Sequence, residues 1–66
     1  MMPAVMYVVA THLDQTYGYY TRDGKVTTKH SEAHLQDTWP VGIDETWDWV
    51  EEVHDVDEFR SREDTW

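Results

Sequence analysis

Apolar and polar positions fall into three patterns along the chain. Residues 4–12 read Ala-Val-Met-Tyr-Val-Val-Ala-Thr-His, nearly unbroken in apolar and β-branched side chains, between Pro3 and Asp14. Such a run predicts a strand covered on both faces, and so a central one. Residues 17–22 and 25–30 then flank Asp23-Gly24. Asp-Gly between two such runs predicts a hairpin with a two-residue type I′ turn, pairing Thr21 with Val26, Tyr19 with Thr28 and Tyr17 with His30. The third pattern covers residues 43–56. Wound as a helix at about 100° per residue, it divides into two halves. Ile43, Thr46, Trp47, Trp49, Val50, Val53, His54 and Val56 take one half; Asp44, Glu45, Asp48, Glu51, Glu52 and Asp55 take the other.

Between these elements, residues 31–38 fit one short helical turn or a fourth short strand. Residues 39–42 form a connector in which Pro40 forces Trp39 towards an extended conformation. Asp44 is the expected helix N-cap, and residues 57–66 read as a tail from which Phe59 or Trp66 docks back. The expected fold is α+β. A small antiparallel sheet of three strands, or four, spans about residues 4–30, with a connector over about 31–42. One amphipathic helix over about 43–56 packs on one face. Trp47, Val50, Val53, Val5, Tyr7, Val9, Tyr19 and Val26 are the expected core.

Size changes what this pattern must achieve. At 66 residues the chain is one small domain, and a domain of this size buries only about 60% of its unfolded surface. Small folds need a staple, and with no cysteine neither a disulfide nor a thiolate metal site supplies one. The substitutes are four Trp, four Tyr and one Phe; pairing of two copies is a second route to burial. The run at 4–10 is too short to span a bilayer and lacks a preceding basic segment, so a cytoplasmic location is expected.

Charge adds the functional signal. Net charge is −9, and it is unevenly placed. Residues 1–43 carry four acids and three bases; residues 44–66 carry ten acids and two arginines. Nucleic acid and anionic membrane would be repelled by that last third, whereas a basic protein surface would be attracted. On a helix, Asp44/Asp48, Asp48/Glu52 and Glu51/Asp55 are like-charged pairs, each costing a few tenths of a kcal/mol. No lysine is interspersed to relieve them.

Catalytic chemistry has little support. Without cysteine, with two serines (Ser31 and Ser61) and with no nucleophile-elbow or glycine-rich phosphate pattern, no enzyme activity is expected. His30 and His34 are four apart. With Glu32 and a fourth group such as His12 or Asp37 they form a conceivable zinc set, but the glutamate is displaced by one from the metalloprotease spacing. Two surface histidines at a hairpin end is the plainer reading, and no metal or cofactor is expected. Tyr17, Tyr19 and Tyr20 near Arg22, Lys25 and Lys29 suggest a base-stacking platform, against which the net charge argues.

Carboxylates three and four apart on a helix lie about 5–6 Å from one another. That is a similar scale to phosphates along a nucleic-acid strand, at about 3.4 Å of axial advance per nucleotide. In this respect the acidic face resembles the DNA-mimic inhibitors that phages and mobile elements direct against CRISPR, restriction and repair enzymes. The resemblance is to a class of surface, over roughly the last third of the chain, and no sequence motif carries it. It implies a non-enzymatic inhibitor that docks on the nucleic-acid-binding surface of another protein, in the host cytoplasm if phage-encoded. The contacts would be Asp44, Glu45, Asp48, Glu51, Glu52, Asp55, Asp57 and Glu58, with Trp49 and Tyr20 as aromatic contacts. The alternative is a small acidic adaptor or regulatory subunit, from a salt-adapted organism for instance. It would bind through its aromatic face or sheet edge, with the acids serving solvation.

Overall fold

The computed structural model describes residues 5–13 and 15–62. Ala4, Asp14 of the first turn and the chain end at 63–66, with Trp66, lie outside them. The fold is α+β: a four-stranded antiparallel sheet with one C-terminal helix. The strands are β1 (Met6–Leu13), β2 (Thr16–Tyr20), β3 (Val26–Thr27) and β4 (Asp48–Val53), and the helix is α1 (Val56–Ser61). Their order across the sheet is β3-β2-β1-β4.

β1 is central, as its apolar run requires. Val8 and Ala10 point to one face and are buried with Tyr19, Ala33, Val53 and Phe59. Thr11 points to the other face and is 1% exposed. α1 lies over the first face, where Phe59 meets Tyr19 edge-on at 5.3 Å. A 3-10 turn at His30–Glu32 packs beside it. Arg60 ties the two together, its Nη1 donating to the carbonyl oxygens of His30, Ser31 and Ala33 at 3.1, 2.9 and 2.7 Å. The connector covers part of the second face, with Trp39 edge-on to Tyr7 at 5.3 Å.

The hairpin register differs from the expected one by a residue: Tyr20 pairs with Val26 and Tyr19 with Thr27. In this loop Gly24 takes a positive φ, +85°, and its N–H donates to the carbonyl of Thr21 at 3.0 Å. Thr21 then closes the loop on the Lys25 carbonyl at 2.7 Å. This is the three-residue hairpin loop with a left-handed glycine and a bulge, rather than the two-residue type I′ turn. The shift puts Val26 on the same face as Gly18, where the valine occupies the space that any Cβ at Gly18 would need.

The helix expected over 43–56 is not formed. Residues 45–47 make a turn and 48–53 are β4, antiparallel to β1 with Ala10 opposite Trp49 and Val8 opposite Glu51. Two physical terms favour the strand. β1 needs a second neighbour, and the β-branched and aromatic residues here suit a pleated surface better than a helix. Extension also separates the like charges: residues four apart lie about 13 Å from each other along a strand, against about 5–6 Å on a helix. The helix begins only after Asp55. Of the expected core, Tyr19 and Val53 are buried. Val5, Tyr7, Val9 and Val50 are half-buried, and Val26 and Trp47 are exposed, Trp47 because it sits in the turn.

Candidate functional site

β4 is an edge strand, and the acids predicted as contacts sit on it and on its flanks. Because the segment is extended, they do not share one face. Asp48, Val50 and Glu52 point to one side of the sheet and Trp49, Glu51 and Val53 to the other. The single carboxylate face inferred from helical periodicity is therefore corrected to two sparser rows on either side of an edge.

Several of these acids serve the fold. Asp44 Oδ1 accepts the Thr46 N–H at 3.0 Å, and that bond holds its carboxyl below the usual carboxylate range. Asp48 accepts the Tyr20 hydroxyl at 3.2 Å. Glu51 accepts the Tyr19 hydroxyl at 3.3 Å and the Trp49 indole N–H at 2.8 Å. Asp55 is the true N-cap, its Oδ1 accepting the Glu58 N–H at 3.0 Å. Glu58 pairs with Arg62 at 2.6 Å across one helical turn. Glu52 meets His54 Nε2 at 3.2 Å, both largely exposed, so His54 is not the apolar-side residue that a helix would make it. Glu45 and Asp57 are exposed and make no side-chain bond among the described residues.

The two tyrosines of β2 form a device that periodicity alone does not show. Adjacent strand residues project to opposite faces, so Tyr19 and Tyr20 reach across β1 on opposite sides of the sheet. Each ends on a carboxylate of β4. Burial, reinforced by the neighbouring Glu51 charge, pushes the Tyr19 hydroxyl up to about 12. The signal for this was the Tyr-Tyr pair itself, in a strand two removed from the acids. Tyr20 and Trp49, expected as partner contacts, are accordingly half-buried and used internally. Trp49 also stacks edge-on with Tyr17 at 5.6 Å. Among the described residues the exposed tryptophans are Trp39 and Trp47, at 58% and 54% exposure.

His30 is buried rather than a surface ligand. Its ring packs at 4.4 Å on Phe59 and 4.9 Å on Tyr19, and Nδ1 finds no hydrogen-bond partner among the described residues. Among the described residues no three His, Asp or Glu side chains are grouped closely enough to hold a metal ion. Among the described residues Arg22, Lys25 and Lys29 lie on the hairpin side and Arg60 is engaged with carbonyls, while Arg62 is the one arginine beside β4, lining a pocket with Glu51 and Glu52 and paired with Glu58. Comparison with protein-family models, with curated proteins and with solved structures finds no match to this chain. Among the described residues no helix is long and apolar enough to cross a membrane.

Beside β4 an open groove of about 570 Å³ runs between the connector and the strand, lined by Trp39, Pro40, Val41 and Ile43 on one side and Asp48 and Val50 on the other. Glu45 lies at the same groove. The arrangement offers apolar contact within an acidic surround.

Proposed function

We propose that this protein is a non-enzymatic binding protein that docks, through its acidic β4 edge, on a basic surface of another protein. Segregation of charge carries the reading. Acids from Asp44 to Glu58 line one edge of the sheet and the start of α1, offset there by Arg62 alone among the described residues, while Arg22 and Lys25 stand at the far edge with Asp23 paired to Lys25. Such a dipolar molecule orients itself toward a positive field before contact and repels nucleic acid at the same edge. A nucleic-acid-binding groove is one surface of the right sign. The helical row of carboxylates that would imitate a phosphate strand is absent, so the reading rests on sign and placement rather than on phosphate-like spacing.

Exposure of Trp39, Val41 and Trp47 favours a second reading, an adaptor that binds through this aromatic surface with the acids as solvation. Charge reversal separates the two at exposed acids: Glu45 makes no side-chain bond among the described residues, Glu52 meets only the exposed His54, and Asp57 lies in the first turn of α1. Glu45→Lys, Glu52→Lys and Asp57→Lys together should weaken capture of partners from a host lysate by more than tenfold and remove its salt sensitivity, with the far-ultraviolet spectrum preserved. If capture survives that triple change and is lost on Trp39→Ser with Trp47→Ser, the adaptor reading replaces the first.

A further inference from the structure

We infer that the open edge of β4 accepts an extended, lysine- or arginine-bearing segment of the partner as a fifth strand. This deepens the proposed docking function and rests on it. The phase of the β1–β4 ladder is fixed at two places. The His12 N–H donates to the Trp47 carbonyl at 3.2 Å, so odd-numbered residues of β4 turn their amide groups towards β1. Tyr7, opposite Glu52, gives both its N–H and its carbonyl to Gln36 on the other side, at 2.7 and 2.8 Å. Both require the amide groups of Asp48, Val50 and Glu52 to point outward.

The Asp48 N–H is already taken by the Asp44 carbonyl at 2.8 Å. Val50 and Glu52 remain, each with an N–H and a carbonyl that find no partner among the described residues. They are spaced about 6.8 Å apart, the repeat a paired strand presents. Such a row is a template for strand addition.

Side-chain charge selects the occupant. A second copy pairing antiparallel through this edge must centre on Val50 opposite Val50, on Glu52 opposite Glu52, or on Val50 opposite Glu52. The first sets Asp48 against Glu52, the second Glu52 against itself, and the third Glu51 against Glu51. Like charges directly opposite each other destabilise a pair, so this edge disfavours its own copy in these three registers, and a fourth, with Val50 opposite Asp48, lacks the Asp48 N–H already given to Asp44. A strand with basic, apolar and basic residues at alternate positions meets Asp48, Val50 and Glu52 with the right partner each time. Its apolar residue lies nearest the groove beside Val50. The acids thus disfavour self-pairing and admit a basic strand.

The probe is a synthetic peptide, acetyl-Lys-Thr-Val-Arg-Lys-amide, titrated into the 15N-labelled full-length protein. Two controls accompany it: the same peptide with its backbone N-methylated at alternate residues, and one with glutamate for each basic residue. The expected result is amide shifts and slowed exchange centred on Val50 and Glu52, with binding at least tenfold weaker for both controls. Val50→Pro removes the outward N–H without touching the ladder to β1 and should lose the same factor. Should that variant fail to fold, the N-methylated peptide on the unaltered protein carries the test alone. Equal binding of the N-methylated peptide, or shifts mapping away from β4, would overturn strand addition while leaving charge docking in place. Equal binding of the glutamate peptide would overturn the acidic reading itself. No binding of the basic peptide overturns the inference.

Discussion

Tyr19 shows how a single side chain can tie together two strands that are not neighbours in a sheet. It is 5% exposed, and its hydroxyl stays protonated because burial and the Glu51 charge both oppose the phenolate. A tyrosine whose folded pKa lies above its unfolded value stabilises the fold fully below the unfolded pKa, and that contribution fades as pH rises through the folded one. From an ordinary value of 10 to about 12 in the fold, the loss falls in that pH window. It amounts to on the order of 3 kcal/mol. Absorbance at 295 nm should show one phenol titrating late and together with loss of the circular-dichroism signal; in Tyr19→Phe that late phenol should be missing. A phenol at Tyr19 that ionises near pH 10 with the fold intact would contradict the cross-sheet bond to Glu51.

At the scale of elements, Asp55 carries the clearest expectation. Its carboxylate caps a helix of six residues, which has little else to start it. Asp55→Ala should cost about 1 kcal/mol in chemical denaturation and Asp55→Asn much less, since an asparagine side-chain oxygen can accept the same Glu58 N–H. A partner-contact role alone would predict no loss of stability in either. The capping role also marks where sequence reading succeeded and failed. β1 was legible because a nearly continuous apolar run this short, rich in β-branched residues, fits a strand covered on both faces. The hairpin was legible in position but not in register, since Asp23-Gly24 serves both two- and three-residue loops. Residues 43–56 misled because a strand with charges on both faces lacks alternation, while Trp49, Val50 and Val53 happen to fall at helical spacing. What settled their structure was the unmet need of β1 for a second neighbour some forty residues away, which no local window contains.

For the molecule as a whole, strand order ties charge to topology. The hairpin edge carries Arg22 and Lys25, the β4 edge carries the acids, and the apolar β1 lies between them. The order β3-β2-β1-β4 has a consequence for how the chain comes into being. β1 leaves the ribosome first and can be flanked on one side at once by β2, yet its other flank stays bare until β4 has been made. During that interval an apolar strand is open to any passing chain. A product ended after Trp47 should therefore precipitate or be held by chaperones, and adding residues 48–62 in trans should recover a dispersed species, both visible by sedimentation. The highly charged final third would then also act as a late solubilising shield, covering the nascent protein's stickiest strand with the part of the sequence least prone to clump.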